Sequence, residues 1–176
     1  VSAPMNEEEL RNLMYTAQLP GNGPFVIRYP RGRGVTYNWK QPFKKLPIGK
    51  GRKLKDGEDL AIISIGHIGN YVEQAAPLLE NEQVKAAHYD IRFLKPLDEE
   101  LLHEIGQQYK YVVTLEDGTI LGGLGSAVME FMNENQYSIT VKRLGIPDRF
   151  IEHGTQEELQ QACGYDVLRI FEHTCF

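Results

Sequence analysis

From residue 51 onward the chain alternates between strand-like and helix-like apolar spacing, and this alternation restricts its fold more than any other feature. "GKGRKLKDGEDLAIISIG" (49–66) reads as two strands joined at Asp56-Gly57, a hairpin dipeptide, so the first should run antiparallel to the second. Ile68, Val72, Ala75, Ala76 and Leu79 then mark one helical face, in a helix that Pro77 is expected to kink. "VKAAHYDIRF" (84–93) is the next strand, and Asp98 opens a helix with Leu97 placed as its hydrophobic staple. "YVVTLE" (111–116) reads as a buried strand. Leu124, Ala127, Val128, Phe131 and Met132 spell a helix, and "YSITVKRLG" (137–145) a further strand. Thr155 with Glu158 forms a capping box ahead of C-terminal helices. Strands and helices alternating at this spacing favour parallel strands, right-handed crossovers and helices on both faces. The expected class is therefore α/β: a three-layer α/β/α sandwich around a five-stranded mixed sheet whose first strand is antiparallel.

The first 34 residues do not belong to that pattern. Asn6 with Glu9 resembles a capping box, and Leu10, Leu13, Met14 and Ala17 fall on one face, giving a helix over about residues 6–19. "FVIRY" (25–29) has the composition of a buried strand. One helix and one strand cannot make a domain, and Val1 stands where an initiator methionine would be usual, so the chain reads as a piece of something longer. With 176 residues and 41% hydrophobic content there is room for one main core. The longest apolar run, at 60–66, is far too short for a membrane span, and Cys163 and Cys175 form neither a metal pattern nor a disulfide framework. A soluble protein of the reducing cytoplasm is expected, with both cysteines packed in C-terminal helices and with no membrane partner.

Charge is unevenly placed. Residues 28–55 carry ten Lys and Arg and no Asp or Glu, although the formal net charge is −5. Such a stretch can meet nucleic acid, but Pro30, Pro42 and Pro47 and the lack of strand-spaced aromatics favour a solvated connector, and no nucleic-acid partner is expected. In an α/β sheet ligands gather beyond the carboxyl ends of the strands, which points to the glycine-bearing loops 66–70 and 118–126. Their backbone N–H groups could hold an anion or a nucleotide, making the chain an independent regulatory module. Tight turns and close helix contact explain the glycines at least as well, and Gly123, Gly125 and Val128 miss the dinucleotide fingerprint. Glu116 and Asp117 could form an acid–base pair or bind a metal, but adjacent carboxylates at a strand end more often cap or solvate a turn. His67, His88, His103, His153 and His173 show no metal spacing, and Ser126 lacks a nucleophile's setting. What remains is "GPFVIRYPRGRG" (23–34), a run of arginines fit for phosphate.

Six stretches in order, "MNEEELRNLMYTAQ", "GPFVIRYPRGRG", "LPIGKG", "IRFLKPLDEELL", "LEDGTILGGLGSAV" and "LGIPDRFIEHGTQEEL", resemble the C-terminal portion of the 1-deoxy-D-xylulose-5-phosphate synthase family of transketolase-like, thiamine-diphosphate-dependent enzymes. The resemblance covers nearly the whole chain. It implies a transferase that condenses pyruvate with glyceraldehyde 3-phosphate, releases carbon dioxide, feeds isoprenoid, thiamine and pyridoxal synthesis, and works as a cytoplasmic homodimer. It implies that residues 1–34 are the last helix and strand of a pyrimidine-binding domain, 35–50 a linker, and 51–176 a transketolase-like C-terminal domain. Arg28 matches the family's arginine for the acceptor's phosphate, while Arg31 and Arg33 match less clearly. The family's magnesium and diphosphate motif, activating glutamate and proton-handling histidines match nothing in this chain. Thiamine diphosphate and Mg2+ are therefore expected on the full-length enzyme and not on this segment, which alone should be inactive, with no catalytic or metal-binding residue of its own and a structural, dimer-supporting role.

Overall fold

A computed structural model describes residues 1–35 and 39–175. Five strands, β1 (Arg52–Lys55), β2 (Leu60–Ile65), β3 (Ala86–Asp90), β4 (Tyr111–Thr119) and β5 (Thr140–Ile146), form one sheet in the order β1-β3-β2-β4-β5. The pairings among β2, β3, β4 and β5 are parallel, as the alternation predicts, and β1 is the antiparallel strand, paired with β3. Side chains alternate between the faces of the pleat, so neighbouring residues feed two separate cores. Ala61, Ile63, Ala87, Tyr89 and Val112 meet α3 (Glu99–Gln108) and α4 (Leu124–Glu134) on one face. Leu60, Ile62, Ala86, Val113 and Leu115 meet α2 (Gly69–Asn81) and α6 (Val167–Thr174) on the other. β2 and β3 are buried at every position because both faces are covered.

The helix ends follow local chemistry. Asp98 accepts from Leu101 N–H at the start of α3, and Thr155 and Glu158 form the full capping box of α5 (Gln156–Cys163). Gly164 ends α5 in the left-handed region at φ 75°, a conformation that favours glycine. α2 continues through Pro77 as a single helix. Cys163 is half-buried in α5, whereas Cys175 is exposed just past α6, so only the first fits the expectation of a packed cysteine.

Two strand expectations are corrected. Asp56-Gly57 does not close a hairpin: β1 leaves for the far side of β3, and the connection crosses the beginning of that strand. Glu58 and Asp59 N–H both donate to Lys85 C=O, and a Cβ on Gly57 would lie 2.1 Å from Ala87 N. The glycine is required by this close crossing and not by a turn. Nor is "FVIRY" a buried strand, since Val26 and Tyr29 are exposed and its one bridge is Ile27 to Ser2. Residues 1–3 act as a strap instead. Ser2 N–H donates to Val26 C=O, Arg28 N–H to Ser2 C=O, Ala3 N–H to Arg92 C=O and Leu94 N–H to Val1 C=O.

α1 (Glu7–Ala17) starts at Asn6, whose side chain accepts from Glu9 N–H. The reciprocal half of the expected capping box is absent, because the Glu9 carboxylate accepts from Met5 N–H at 2.7 Å and turns to Arg52 of β1 and to Arg92 just past β3. In the 35–50 connector, residues 36–38 lie outside those described. The rest of it follows α1: the Arg11 guanidinium lies over the Phe43 ring at 4.3 Å, Lys44 N–H donates to Asn12, and Leu46 N–H donates to Thr16.

Candidate functional site

Glu116 and Asp117 are adjacent in β4, so the pleat sends them to opposite faces and they cannot work as a carboxylate pair. Glu116 is buried toward α4, where its two oxygens accept from Leu124 N–H at 2.9 Å and Gly125 N–H at 3.0 Å. A Cβ on Gly123 would lie 2.1 Å from that carboxylate, which accounts for one glycine of "LGGLG". The positive end of the α4 dipole is thus occupied by the protein's own anion. The loop at 118–126 therefore offers no free cradle for a phosphate. The loop at 66–70 is covered on one side, where a Cβ on Gly66 would meet the Ala3 side chain at 2.9 Å and the Asn70 amide donates to Met5 C=O. Both observations count against an independent anion-binding module.

Asp117 faces the other way and gathers partners from three distant parts of the sequence. The Tyr165 hydroxyl donates to its Oδ1 at 2.7 Å, and His67 Nε2 stands 3.7 Å from Oδ2. The Arg28 guanidinium donates to the Asp117 backbone carbonyl and stands 3.8 Å from Oδ2. The register of β4 against β5 shifts between Leu115 and Thr119, and a bulge of this kind re-aims side chains at the end of a strand. Tyr165 is 2% exposed, so the far side of the cluster is closed, whereas the Arg28 side chain is 44% exposed. Burial pushes the His67 imidazole below its usual range, with Asp117 opposing and Arg28 adding to the shift. Next to the cluster lies a cleft of about 900 Å³ whose walls include Asn6, Tyr29, His67, Tyr71 and Gln160.

Three other candidates have structural partners. His88 is buried against Ser64, His103 shares a hydrogen bond with the Tyr137 hydroxyl at 2.8 Å, and the Ser126 hydroxyl accepts from Gly122 N–H. Arg31 and Arg33 are exposed, and the Arg31 carbonyl accepts from the Gln156 amide. The end of the basic stretch is paired within the fold: Lys50 with Asp98 and Glu100, Arg52 with Glu9 and Asp90, Lys53 with Glu104, and Lys55 with Glu80. Among the described residues no three His, Cys, Asp or Glu side chains converge on a cation site, and no helix is long and apolar enough to cross a membrane. Sequence reasoning missed Tyr165 altogether. Its one local signal is its place after Gly164 at a helix end, which says nothing of Asp117.

Residues 49–170 match the family described as transketolase, C-terminal domain. The 1-deoxy-D-xylulose-5-phosphate synthase of Bacteroides thetaiotaomicron is 63% identical over 167 residues, which is 94% of this chain and 26% of that protein. The synthase of Cytophaga hutchinsonii is 62% identical over 97% of this chain and 27% of its own length. The chain thus spans about a quarter of the curated relatives it matches. Among solved structures, a split-gene transketolase in an inactive β4 tetramer superposes with a TM-score of 0.79 at 28% identity, covering 98% of this chain and 55% of that one. Sheet order, family match and these relatives agree: the chain belongs to the transketolase C-terminal domain family, as a C-terminal portion of the 1-deoxy-D-xylulose-5-phosphate synthase type.

Proposed function

We propose that this chain is the C-terminal part of a thiamine-diphosphate-dependent transferase that condenses pyruvate with glyceraldehyde 3-phosphate to 1-deoxy-D-xylulose 5-phosphate and carbon dioxide. Its own contribution is a scaffold plus one substrate-binding arginine. Residues 1–34 belong to the pyrimidine-binding domain, 35–50 to a linker and 51–176 to the C-terminal domain, and the whole enzyme works as a homodimer in the cytoplasm. The names and identities of the relatives support the reaction. The observation that carries the role of this segment is the placement of Arg28, half-exposed at the carboxyl end of the sheet and held from behind by Asp117.

The residues in hand do not fit a magnesium-bound diphosphate. The buried Glu116 is spent on α4, Asp117 is spent on Tyr165 and Arg28, and no third acidic or imidazole ligand converges with either among the described residues. Cation, diphosphate and proton-transfer chemistry are accordingly assigned to the remainder of the enzyme. Arg28 is left with a binding role, because a planar guanidinium gives charge-assisted, paired hydrogen bonds to a phosphate and so fixes the acceptor's aldehyde carbon. In the full-length enzyme, Arg28→Ala is expected to lower kcat/KM for glyceraldehyde 3-phosphate by about 10- to 100-fold, the range of one lost charged contact. The value for unphosphorylated glyceraldehyde should barely move. Equal losses for both acceptors would overturn the assignment.

A further inference from the structure

We infer that Asp117, held by Tyr165, is a positioning residue that sets the direction of the Arg28 guanidinium. The inference rests on the reading of Arg28 given above and adds a mechanism to it. The backbone of Arg28 is tied down through residue 2, by the bridge between Ser2 and Ile27 and the Arg28 N–H bond to Ser2 C=O, but its neighbours Val26 and Tyr29 are exposed and do not pack around its side chain. A side chain with four rotatable bonds on such a segment would wander through many directions, and a phosphate would have to order it on binding.

The structure removes that freedom at two points on one residue. The guanidinium donates to the Asp117 backbone carbonyl, one residue past the paired Glu116 of β4, and it faces the Asp117 carboxylate at 3.8 Å. The carboxylate is itself oriented. The Tyr165 hydroxyl donates to Oδ1 at 2.7 Å from a ring that is 2% exposed, leaving Oδ2 turned toward Arg28 and His67. His67 closes the remaining side at 3.7 Å. A chain of fixed groups therefore runs from the α5–α6 junction through a strand end to the arginine. An arginine ordered before its ligand arrives loses less entropy on binding.

The test uses the full-length enzyme and the ratio of kcat/KM for glyceraldehyde 3-phosphate to that for unphosphorylated glyceraldehyde. Tyr165→Phe removes one hydroxyl and keeps the ring; Asp117→Asn keeps the shape and removes the charge. Each is expected to lower the ratio about 3- to 10-fold through KM for the phosphorylated acceptor, with kcat little changed. In an Arg28→Ala background both substitutions should leave the ratio unmoved, because the group they position is gone. A merely structural role would lower activity on both acceptors alike. If Arg28→Ala lowers the ratio but Tyr165→Phe and Asp117→Asn do not, the positioning role is refuted and the arginine's role stands. If Arg28→Ala leaves the ratio unchanged, both fall.

Discussion

His88 should make the fold acid-sensitive by an amount that can be worked out in advance. It sits in the middle of β3, 3% exposed, with Nε2 sharing a 2.8 Å hydrogen bond with the Ser64 hydroxyl on β2. Burial, then the nearby charges of Arg52 and Lys55, bring its pKa down from 6.5 to about 4. Below pH 6.5 the unfolded chain binds a proton at this site and the folded chain does not, so stability falls with pH until the folded state also titrates. The slope approaches about 1.4 kcal/mol per pH unit, and integrating from pH 7 to pH 4 gives a loss of about 3 kcal/mol. His88→Gln keeps a hydrogen-bonding group near Ser64 and removes the titration. Urea unfolding of both proteins at pH 7, 6, 5 and 4 cancels every other titrating group in the difference. The margin of the parent chain over the variant should shrink by about 3 kcal/mol toward pH 4. Curves that stay parallel within about 0.5 kcal/mol would refute the claim that the imidazole is kept neutral by burial.

Two further expectations concern this chain in isolation. Glu116→Gln keeps the side-chain shape but replaces a carboxylate that accepts from two buried N–H groups at the start of α4, so urea unfolding should show a loss of about 2–3 kcal/mol at unchanged m-value. A loss below about 0.5 kcal/mol would mean the cap is not a working one. Titration of the isolated chain with thiamine diphosphate and Mg2+ should give no saturable heat; a clear binding isotherm would place part of the cofactor site here.

How much of this was open to sequence reasoning depends on the range over which each residue is constrained. The apolar run Leu60–Ile65, the helical face of Val72 and Leu79, and the box at Thr155 and Glu158 are local, and they point to the sheet, its layers and its caps. Gly57 misled because a glycine after an aspartate is a local turn signal, whereas its actual constraint is the backbone of Ala87, thirty positions away. "FVIRY" misled because β-branched and aromatic residues report a preference for extended backbone and not the presence of a partner strand. The opposite facing of Glu116 and Asp117 was legible in principle from period-two alternation. The meeting of positions 28, 67, 117 and 165 was not, since no periodicity links a connector, a loop, a strand bulge and a helix junction.

The same contrast explains the charge pattern. An unbroken basic run from 28 to 55 suggests an external polyanion only if its counter-charges are assumed to be absent. In the fold they arrive from elsewhere in the chain. Glu9 and Asp90 are both buried, and Arg52 bridges them with distances of 3.1 Å and 2.9 Å, while Arg92 reaches Glu9 at 2.6 Å. Burying two carboxylates is costly unless each is paired and hydrogen-bonded, and here each also accepts a backbone N–H, from Met5 and from Arg92. Arg92 adopts φ 55°, an unfavourable conformation for a side chain of its size, and so turns its carbonyl to Ala3 N–H and its guanidinium to α1. These ion pairs and the strap of residues 1–3 fasten the N-terminal segment to the sheet. Arg28 thereby reaches Asp117 from a segment tied to the sheet through residue 2, and the paired part of the basic run, Arg52 above all, is an internal fastening within a connector that is otherwise solvated.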